Sequence, residues 1–319
     1  MSKKIATRES YGNALTRIGL ENKNVVVLDA DLSKSTKTAV FKDACPERHL
    51  NMGIAEQNMV GVAAGLAASG KIPVASSFAM FAAGRAFEIV RNSVCYPKLN
   101  VKICATHAGV TVGADGASHQ AIEDLAIMRS LPNMVVLNPG DDVTAQKAVE
   151  ALLDYKGPVY ARFGRAAVPV VHSEDVVFEI GKAIEIQGGT DVTLIATGIL
   201  VAEAIEAAKE LEAEGLSVRV IDMHTIKPID VDAIVKAATE TKGIVTAEEH
   251  SIIGGLGSAV AEVVAEHAPT KVVRVGVKDT FGESGNPDEL MEKYGLKAKD
   301  IVAAAKQITG ETVAVEAAK

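Results

Sequence analysis

A single glutamate stands at the head of an apolar helical segment in this sequence. Glu56 follows the segment 51–55, and residues 59–68 are all valine, alanine, glycine, methionine or leucine. Gly53 permits a tight turn before the helix, and the N–H groups of a first helical turn favour a carboxylate. Such a carboxylate either faces water or is held in a dry pocket, where it can share a proton with a bound molecule.

Further polar residues follow apolar segments that read as strands. They include two histidines and two arginines, and they are the segment 29–35, His107, Asp115, His119, Arg162 and Arg165. Because an open α/β sheet gathers the loops at the carboxyl ends of its strands, we expect these side chains at one edge. Arginine can bind two oxygens of an anion, and histidine can donate a hydrogen bond or exchange a proton. Each residue alone also has a structural explanation, but together they indicate a site for a phosphorylated polar molecule.

Three separated motifs carry a resemblance to a known family. They are Asn-Met-Gly-Ile-Ala-Glu-Gln at 51–57, Ser-Phe-Ala-Met-Phe at 77–81 and Gly-Ala-Asp-Gly-Ala-Ser-His-Gln at 113–120. In this order they resemble the transketolase family of thiamine diphosphate enzymes, and the chain is similar to the C-terminal half of a transketolase from Arg8 to about Lys306. The resemblance implies a pyrimidine-binding domain plus a C-terminal domain, and transfer of a two-carbon ketol unit from a ketose phosphate to an aldose phosphate.

The resemblance also implies a role for each candidate site residue. Glu56 matches the catalytic glutamate that hydrogen-bonds the aminopyrimidine ring of the cofactor, and Phe78 and Phe81 match aromatic residues that pack on that ring. Asp115 and His119 match residues that contact the sugar hydroxyls around the reacting carbon, and His119 is also expected to act in catalysis. Four positions match residues that hold the sugar phosphate: Arg8, Ser35, His107 and Arg165. The family usually carries a further aromatic residue where this sequence has Ala-Ala-Gly at 82–84, so we expect a looser ring pocket.

One motif of the family is absent. Thiamine diphosphate enzymes anchor the diphosphate through Mg²⁺ with a Gly-Asp-Gly motif, and this sequence contains none. A diphosphate without metal ligands or a P-loop would lack compensation for its charge. We therefore expect no metal site here, and a separate N-terminal transketolase subunit that carries the motif and supplies the Mg²⁺ ligands. A homodimer core within a two-plus-two heterotetramer is the corresponding family-like assembly.

Three alternative functions remain open from the sequence. The chain is also similar to the beta subunit of a 2-oxo acid dehydrogenase's decarboxylating component, although His107 and the Asp-Gly-x-x-His-Gln loop favour a sugar phosphate. A 1-deoxyxylulose-phosphate synthase-like enzyme shares much of the segment 115–120. The third alternative is a catalytically silent subunit that only stabilises its partner.

Two other motifs suggest chemistry that we do not expect. Gly-Gly-Leu-Gly at 254–257 looks like a dinucleotide-binding loop, but it does not lie in the first βαβ unit. We interpret it as a close helix N-terminus or a domain contact. Glu-Glu-His at 248–250 lacks the spacing of a metal motif, and we place it on a loop at the domain interface.

The bulk composition excludes several classes of protein. The net charge of −8 argues against nucleic-acid binding. No apolar run reaches the roughly 20 residues of a membrane span, and the first residues contain no signal-peptide core. Cys45, Cys95 and Cys104 are widely spaced without a CxxC motif, which favours reduced thiols. We expect a cytoplasmic protein with no membrane partner.

The elements that must position these residues alternate between strands and helices. We predict strands at 25–28, 72–75, 101–105, 135–137, 159–162, 192–196, 218–221, 244–247 and 272–275. Between and around them we predict helices at 8–19, from 56 onward, and at 78–91, 122–128, 143–152, 202–214, 231–238, 257–266 and 298–308. This alternation predicts an α/β fold with two doubly wound domains and mainly parallel sheets. We place the pyrimidine-binding domain at 1–168, a linker at 169–182 and the smaller C-terminal domain at 183–319.

Overall fold

The computed structural model describes residues 3–310 of the chain. The strands are β1 (Lys4–Ala6), β2 (Val25–Asp29), β3 (His49–Asn51), β4 (Ile72–Ser76), β5 (Lys102–Thr106), β6 (Val135–Leu137), β7 (Val159–Phe163), β8 (Ala167–Pro169), β9 (Ile184–Gln187), β10 (Val192–Ala196), β11 (Val218–Asp222), β12 (Thr225–Lys227), β13 (Ile244–Ser251) and β14 (Val272–Val277). The helices are α1 (Thr7–Glu21), α2 (Ser33–Thr36), α3 (Thr38–Ala44), α4 (Glu56–Ala68), α5 (Phe87–Ile89), α6 (Asp124–Arg129), α7 (Asp142–Asp154), α8 (Leu200–Ala213), α9 (Val231–Glu240), α10 (Leu256–His267), α11 (Pro287–Lys293) and α12 (Ala298–Thr309). Short 3₁₀ segments lie at Pro46–Arg48 and Val110–Asp115, and π-helical segments at Met80–Arg85 and Val90–Cys95.

Two mainly parallel sheets organise the chain. The first has the strand order β12-β6-β7-β5-β4-β2-β3, and only its edge strand β12 runs antiparallel. The second has the order β14-β13-β10-β11-β9, with only β9 antiparallel. The predicted α/β fold with two domains of this kind is confirmed. None of the helices described between residues 3 and 310 has both the length and the apolar character of a membrane span.

Strand β2 shows why the first sheet is covered on both faces. Val25 and Val27 lie in a core with residues of α1, α3 and α7, whereas Val26 and Leu28 lie in another core with residues of α4. All four side chains are buried. Because successive strand side chains point to opposite faces, an all-apolar strand needs helices on both sides. This is the reason that apolar runs of the sequence predicted β2, β4, β5, β6 and β7, whereas β3 and β12 of the same sheet were not predicted.

The second domain is continuous with the first. Strand β12 pairs with β6 of the first sheet, with Thr225 opposite Leu137. The core that contains Met59 of α4 also includes Ile195 of β10 and Val260 of α10. The two sheets therefore share one hydrophobic core across the predicted domain boundary.

Two local predictions were wrong. The segment 78–91 was expected to be one regular helix, but it contains the two π-helical segments and continues to Cys95. The inserted residue of a π turn does not disturb the apolar pattern enough to be seen in the sequence. Glu248–His250 was expected on a loop, but these residues lie within β13 and are buried. The prediction of a helix N-terminus at Gly254–Gly257 was correct, because α10 begins at Leu256.

A buried histidine lies between two carboxylates where the domains meet. His172 places Nδ1 3.2 Å from Asp141 of the first domain and Nε2 3.3 Å from Asp222 of the second. Burial opposes protonation of His172, but the two carboxylates outweigh it and raise its pKa. Burial, with a contribution from Asp141, raises the pKa of Asp222 to about 7 although His172 opposes this. His224 nearby has a pKa lowered to about 3 by burial and by His172.

The raised pKa values of Asp222 and His172 predict a contribution to stability that is lost as the pH rises, whereas the lowered pKa of His224 makes an opposite contribution below about pH 6.5. Asp222 and His172 both bind a proton more tightly when folded, so their stabilisation is complete below the unfolded pKa and disappears as the pH passes the folded pKa. For Asp222 that window runs from about 4 to about 7, and for His172 it begins near 6.5. Replacing Asp222 by asparagine should flatten the fall of the thermal midpoint between pH 5 and pH 8. We expect the pH-dependent change in the free energy of unfolding to differ between the two proteins by at least about 1 kcal/mol, which corresponds to roughly 2–4 °C in the thermal midpoint.

Thermal unfolding of both proteins at pH 5, 6, 7 and 8 measures this difference. Asp232→Asn is the matched control, because Asp232 is exposed and pairs with the exposed Lys182. Parallel pH curves for the wild type and Asp222→Asn would contradict the prediction.

Candidate active site

The candidate residues meet at the carboxyl edge of the first sheet. Ser77 and Phe78 follow β4, His107 follows β5, and Arg165 follows β7. Arg8 lies in the first turn of α1, and its backbone N–H donates to the carbonyl of Gly164 at the end of β7. The structure therefore brings Phe78, His107, Arg8 and Arg165 to one edge, as a doubly wound sheet requires. Arg162 was expected there too, but it lies within β7, where it is buried and pairs with Asp124.

Glu56 is the first residue of α4 and is 1% exposed. Its carboxylate accepts a hydrogen bond from Arg85 Nη1 at 2.7 Å and a longer one from the hydroxyl of Ser77 at 3.4 Å. The helix N-terminus adds a favourable potential for a negative charge. Glu56 is consequently a buried hydrogen-bond acceptor at the base of the site, and not a first-turn charge facing water.

Aromatic rings form the wall beside this carboxylate. The rings of Phe78 and Phe81 are nearly parallel with their centroids 6.1 Å apart, and His119 presents its edge to Phe81 at 5.3 Å. The guanidinium of Arg85 lies 4.7 Å from the centre of the Phe81 ring. At Gly84, where a further aromatic residue is missing, an added Cβ would lie 2.7 Å from the terminal methyl of Met80. The methionine therefore occupies part of the space that an aromatic residue would need.

His107 connects the aromatic wall to a cationic pocket. Its ring stacks on Phe78 at 3.9 Å, and its Nδ1 hydrogen-bonds the hydroxyl of Thr106 at 2.9 Å. Its backbone φ of +56° is unusual for a residue with a side chain, and such conformations cluster at functional sites. Burial, together with Arg8, Arg165 and His119, lowers the pKa of His107 to about 3. The imidazole is thus neutral at physiological pH and can donate or accept one hydrogen bond per nitrogen.

The cationic pocket contains more positive than negative charge. Arg8 donates from Nη1 to the carbonyl of Ser35 at 2.9 Å and lies 3.4 Å from His107 Nε2, while its buried Nε has no hydrogen-bond partner. Arg165 donates to the carbonyl of Val112 and lies 3.4 Å from a carboxylate oxygen of Asp115. Burial lowers the pKa of Arg8, and Arg165 contributes to this shift. An anion placed between the two arginines would relieve their repulsion.

Arg85 is a site residue that the sequence analysis missed. It lies seven residues after Phe78 and four after Phe81, a spacing that puts all three on one face of a helix. Arg85 is the first charged residue of the segment 78–91, and this charge is the sequence feature that could have indicated its role. The roles in this segment were assigned to Phe78 and Phe81 alone, so its first cation was not connected to Glu56.

Family comparison identifies the chain. The transketolase pyrimidine-binding domain matches residues 3–170, and the transketolase C-terminal domain matches residues 181–301. The chain belongs to the transketolase family. Its matched part includes both the buried Glu56 and the cationic pocket described above.

Individual transketolase relatives match nearly the whole chain. A provisionally named transketolase C-terminal section from Methanocaldococcus jannaschii is 52% identical over 95% of each chain. A subunit of 6-deoxy-6-sulfo-D-fructose transketolase from Clostridium sp. is 44% identical over 95% of this chain and 94% of its own. A solved structure described as a split gene transketolase, inactive β4 tetramer, is 60% identical and superposes with a TM-score of 0.90 over 97% of this chain and 100% of that one. These similarities favour a split-transketolase subunit over the 2-oxo acid dehydrogenase and deoxyxylulose-phosphate synthase alternatives.

The donor set fits one half of the transketolase cofactor. A buried carboxylate beside stacked phenylalanines suits the aminopyrimidine ring of thiamine diphosphate, because the ring offers a hydrogen-bonding nitrogen and two apolar faces. Between residues 3 and 310, no group of three or more histidine, cysteine or acidic residues is arranged to hold a metal ion. The described residues around Glu56 thus fit the ring of this cofactor.

Proposed function

We propose that this chain is the pyrimidine-binding subunit of a two-chain transketolase. It transfers a two-carbon ketol unit from a ketose phosphate to an aldose phosphate, and it works only with a partner subunit that carries the Gly-Asp-Gly motif and the Mg²⁺ ligands. A homodimer core in a two-plus-two heterotetramer is the assembly we infer. The description of the 60%-identical β4 tetramer as inactive supports the need for a second type of subunit.

The continuity of the ring pocket and the cationic pocket carries this proposal. Phe78 contacts both, because its ring lies 6.1 Å from Phe81 and 3.9 Å from His107. Arg8 in turn lies 3.4 Å from His107 Nε2, so Phe78 and His107 link the ring wall to the cationic pocket. This arrangement suits a cofactor ring at one end and the distal phosphate of a sugar at the other.

Each residue has a separate task in the proposed reaction. Bound thiamine diphosphate supplies a nucleophilic carbon and an electron sink for breaking a C–C bond. Glu56 would share a proton with the ring nitrogen, which has a lone pair and no hydrogen of its own, and the burial of Glu56 excludes water from that contact. Arg85 compensates the Glu56 carboxylate when no ring is present, and its side chain is exposed enough to move outward.

A second set of residues binds the hydroxyls and the phosphate of the substrate sugar. Asp115 and His119 lie on the loop that follows His107 and contact the hydroxyls near the reacting carbon. Arg8, Ser35, His107 and Arg165 hold the phosphate, so that binding energy far from the reacting carbon orients that carbon. His119, at the edge of the aromatic wall, is placed to assist proton transfer.

Calorimetric titration tests the proposal directly. Thiamine diphosphate with Mg²⁺ is titrated into the chain alone and then into its mixture with a candidate partner that carries the Gly-Asp-Gly motif. We expect binding, and ketol transfer from xylulose 5-phosphate, only in the mixture. Tight binding by the chain alone would show that it has its own diphosphate site and would overturn the two-chain proposal.

Replacing Arg8 by alanine should weaken binding of phosphorylated substrates selectively. A hydrogen bond to a charged group contributes about 1.5–3 kcal/mol, so we expect KM for a ketose phosphate to rise by roughly 10–100-fold. KM for a donor that lacks the phosphate should stay unchanged. Steady-state kinetics of the assembled enzyme with both donors measures the difference.

Arg17→Ala is the matched control for Arg8→Ala. Arg17 lies on the same helix α1, where its half-exposed side chain pairs with Glu150 on the surface. An equal rise in KM for both donors in Arg8→Ala would contradict a phosphate-binding role.

A further inference from the structure

One buried carboxylate of the second domain reaches across to the loops of the first. Glu249 lies on β13 and is 3% exposed. Its neighbour Glu248 is 1% exposed and instead accepts the backbone N–H groups of Leu256 and Gly257 at the start of α10. Glu248 thus binds backbone groups of the second domain. Glu249 points the other way, because adjacent side chains of a strand lie on opposite faces.

The target of Glu249 is the segment that follows His107. Its Oε1 accepts a hydrogen bond from the backbone N–H of Thr111 at 2.6 Å. Gly109 has a φ of +77°, and a Cβ added there would lie 2.2 Å from the carboxyl carbon of Glu249. The absence of a side chain at Gly109 therefore makes room for the carboxylate beneath the loop.

The loop held in this way joins the two ends of the proposed substrate site. His107 precedes it, and Asp115 and His119 lie at its far end. Its path is tied down elsewhere by the N–H of Gly109, which donates to the carbonyl of Ala121 at 2.7 Å. Between that bond and Asp115, the Thr111–Glu249 hydrogen bond links the loop to β13, while Gln120 and Arg165 donate to other carbonyls of the loop.

The backbone of Glu249 is fixed by a buried ion pair. Arg162 donates from Nη2 to the Glu249 carbonyl at 2.9 Å and from Nε to Asp124 at 2.9 Å. Burial raises the pKa of the Glu249 carboxyl to about 7, while Arg162 and the Thr111 N–H oppose this shift and Asp124 adds to it. The carboxyl group is thus fixed in a solvent-excluded environment, where the low dielectric constant strengthens its hydrogen bond to Thr111.

We propose that Glu249 is a positioning residue through which the C-terminal domain sets the geometry of the substrate loop 110–119. It does not touch the substrate. It acts through the N–H of Thr111, which places Asp115 and His119 relative to His107. This inference rests on the proposed function for its catalytic consequence, but the ordering of the loop does not depend on that function.

Hydrogen exchange on the full chain without its partner tests the ordering. In Glu249→Gln we expect the amide of Thr111, followed in peptides that cover 108–121, to exchange about tenfold faster, because a neutral amide oxygen accepts a weaker hydrogen bond than a carboxylate. Glu248→Gln is the matched control, since Glu248 is equally buried on the same strand and also accepts backbone N–H groups. It should leave this peptide unchanged. Unchanged exchange in Glu249→Gln, or equal acceleration in both variants, would overturn the proposal.

Kinetics of the assembled enzyme test the consequence for the substrate. Glu249→Gln should raise KM for the ketose phosphate by about tenfold with a smaller effect on kcat and unchanged affinity for thiamine diphosphate. Combined with Asp115→Asn, its effect on KM should be less than multiplicative because both variants act on one loop, whereas Glu248→Gln should combine multiplicatively with Asp115→Asn. A multiplicative result for Glu249→Gln would overturn the positioning role.

Two further outcomes are distinguishable. If the wild-type assembly has no ketol transfer while the exchange result holds, the proposed function fails and the ordering role of Glu249 stands. If Glu249→Gln does not fold, Glu249→Asp replaces it, because it keeps the charge but shortens the side chain away from Thr111. The same expected and contradicting results then apply.

Discussion

Replacing Glu56 by glutamine should reduce ketol transfer by at least about a hundredfold while the chain still folds. The variant keeps the size of the side chain but removes the carboxylate that would exchange a proton with the ring nitrogen. The fold should survive because the lost partner, Arg85, is partly exposed and its guanidinium can be solvated. Turnover by the assembled enzyme, together with circular dichroism and the thermal midpoint of the variant, measures both expectations.

Glu88→Gln provides the control for this change. Glu88 lies in the same helical region on α5, but it is exposed and its hydrogen-bond partner is Asn92. We expect wild-type turnover from it. Near-normal turnover by Glu56→Gln would mean that the buried carboxylate has no catalytic task, and the proposed mechanism would have to be abandoned.

Replacing Arg162 by alanine should lower the free energy of unfolding by about 3–5 kcal/mol. Arg162 and Asp124 are 4% and 1% exposed, and their Nε–Oδ2 distance is 2.9 Å. Removing the guanidinium leaves the carboxylate buried with only the hydroxyl of Tyr160 donating to it, at 2.7 Å. It also leaves the carbonyls of Ala121 and Glu249 without this donor. Chemical denaturation monitored by circular dichroism measures the loss.

Arg17→Ala is the comparison for the buried pair as well. Arg17 and Glu150 form an ion pair with side chains about half exposed, and such surface pairs contribute roughly 0–1 kcal/mol. If the two arginine variants lost similar stability, the Arg162–Asp124 pair would not be the internal support that its burial indicates.

The regular part of the fold was accessible from sequence for a simple physical reason. The strands β2, β5, β7 and β10 are buried on both faces, so they are mostly apolar segments that stand out between polar loops. Strands such as β1, β8 and β12 have three residues each, too few to show a period. They exist because of their partners in space, and a single sequence does not reveal those partners.

The candidate site likewise contains residues that the sequence revealed and residues that it did not. Glu56, His107 and Arg165 were accessible because each follows a recognisable strand or heads an apolar helix. Arg85 and Glu249 were not, because their importance lies in contacts over long separations, to Glu56 and Thr111. For Glu249, the local sign was the sequence Glu-Glu-His directly after the apolar start of β13.

The pairing of β12 with β6 limits how the chain can be divided. Cutting it within the linker would remove β12 and leave the backbone groups of β6 unpaired at an open sheet edge. Such edges recruit strands from other molecules, and the shared hydrophobic core would be opened to water at the same time. A truncated first domain would therefore tend to aggregate instead of serving as a minimal cofactor-binding module. The two domains form one folding unit, so reconstitution with a partner subunit calls for the full-length chain.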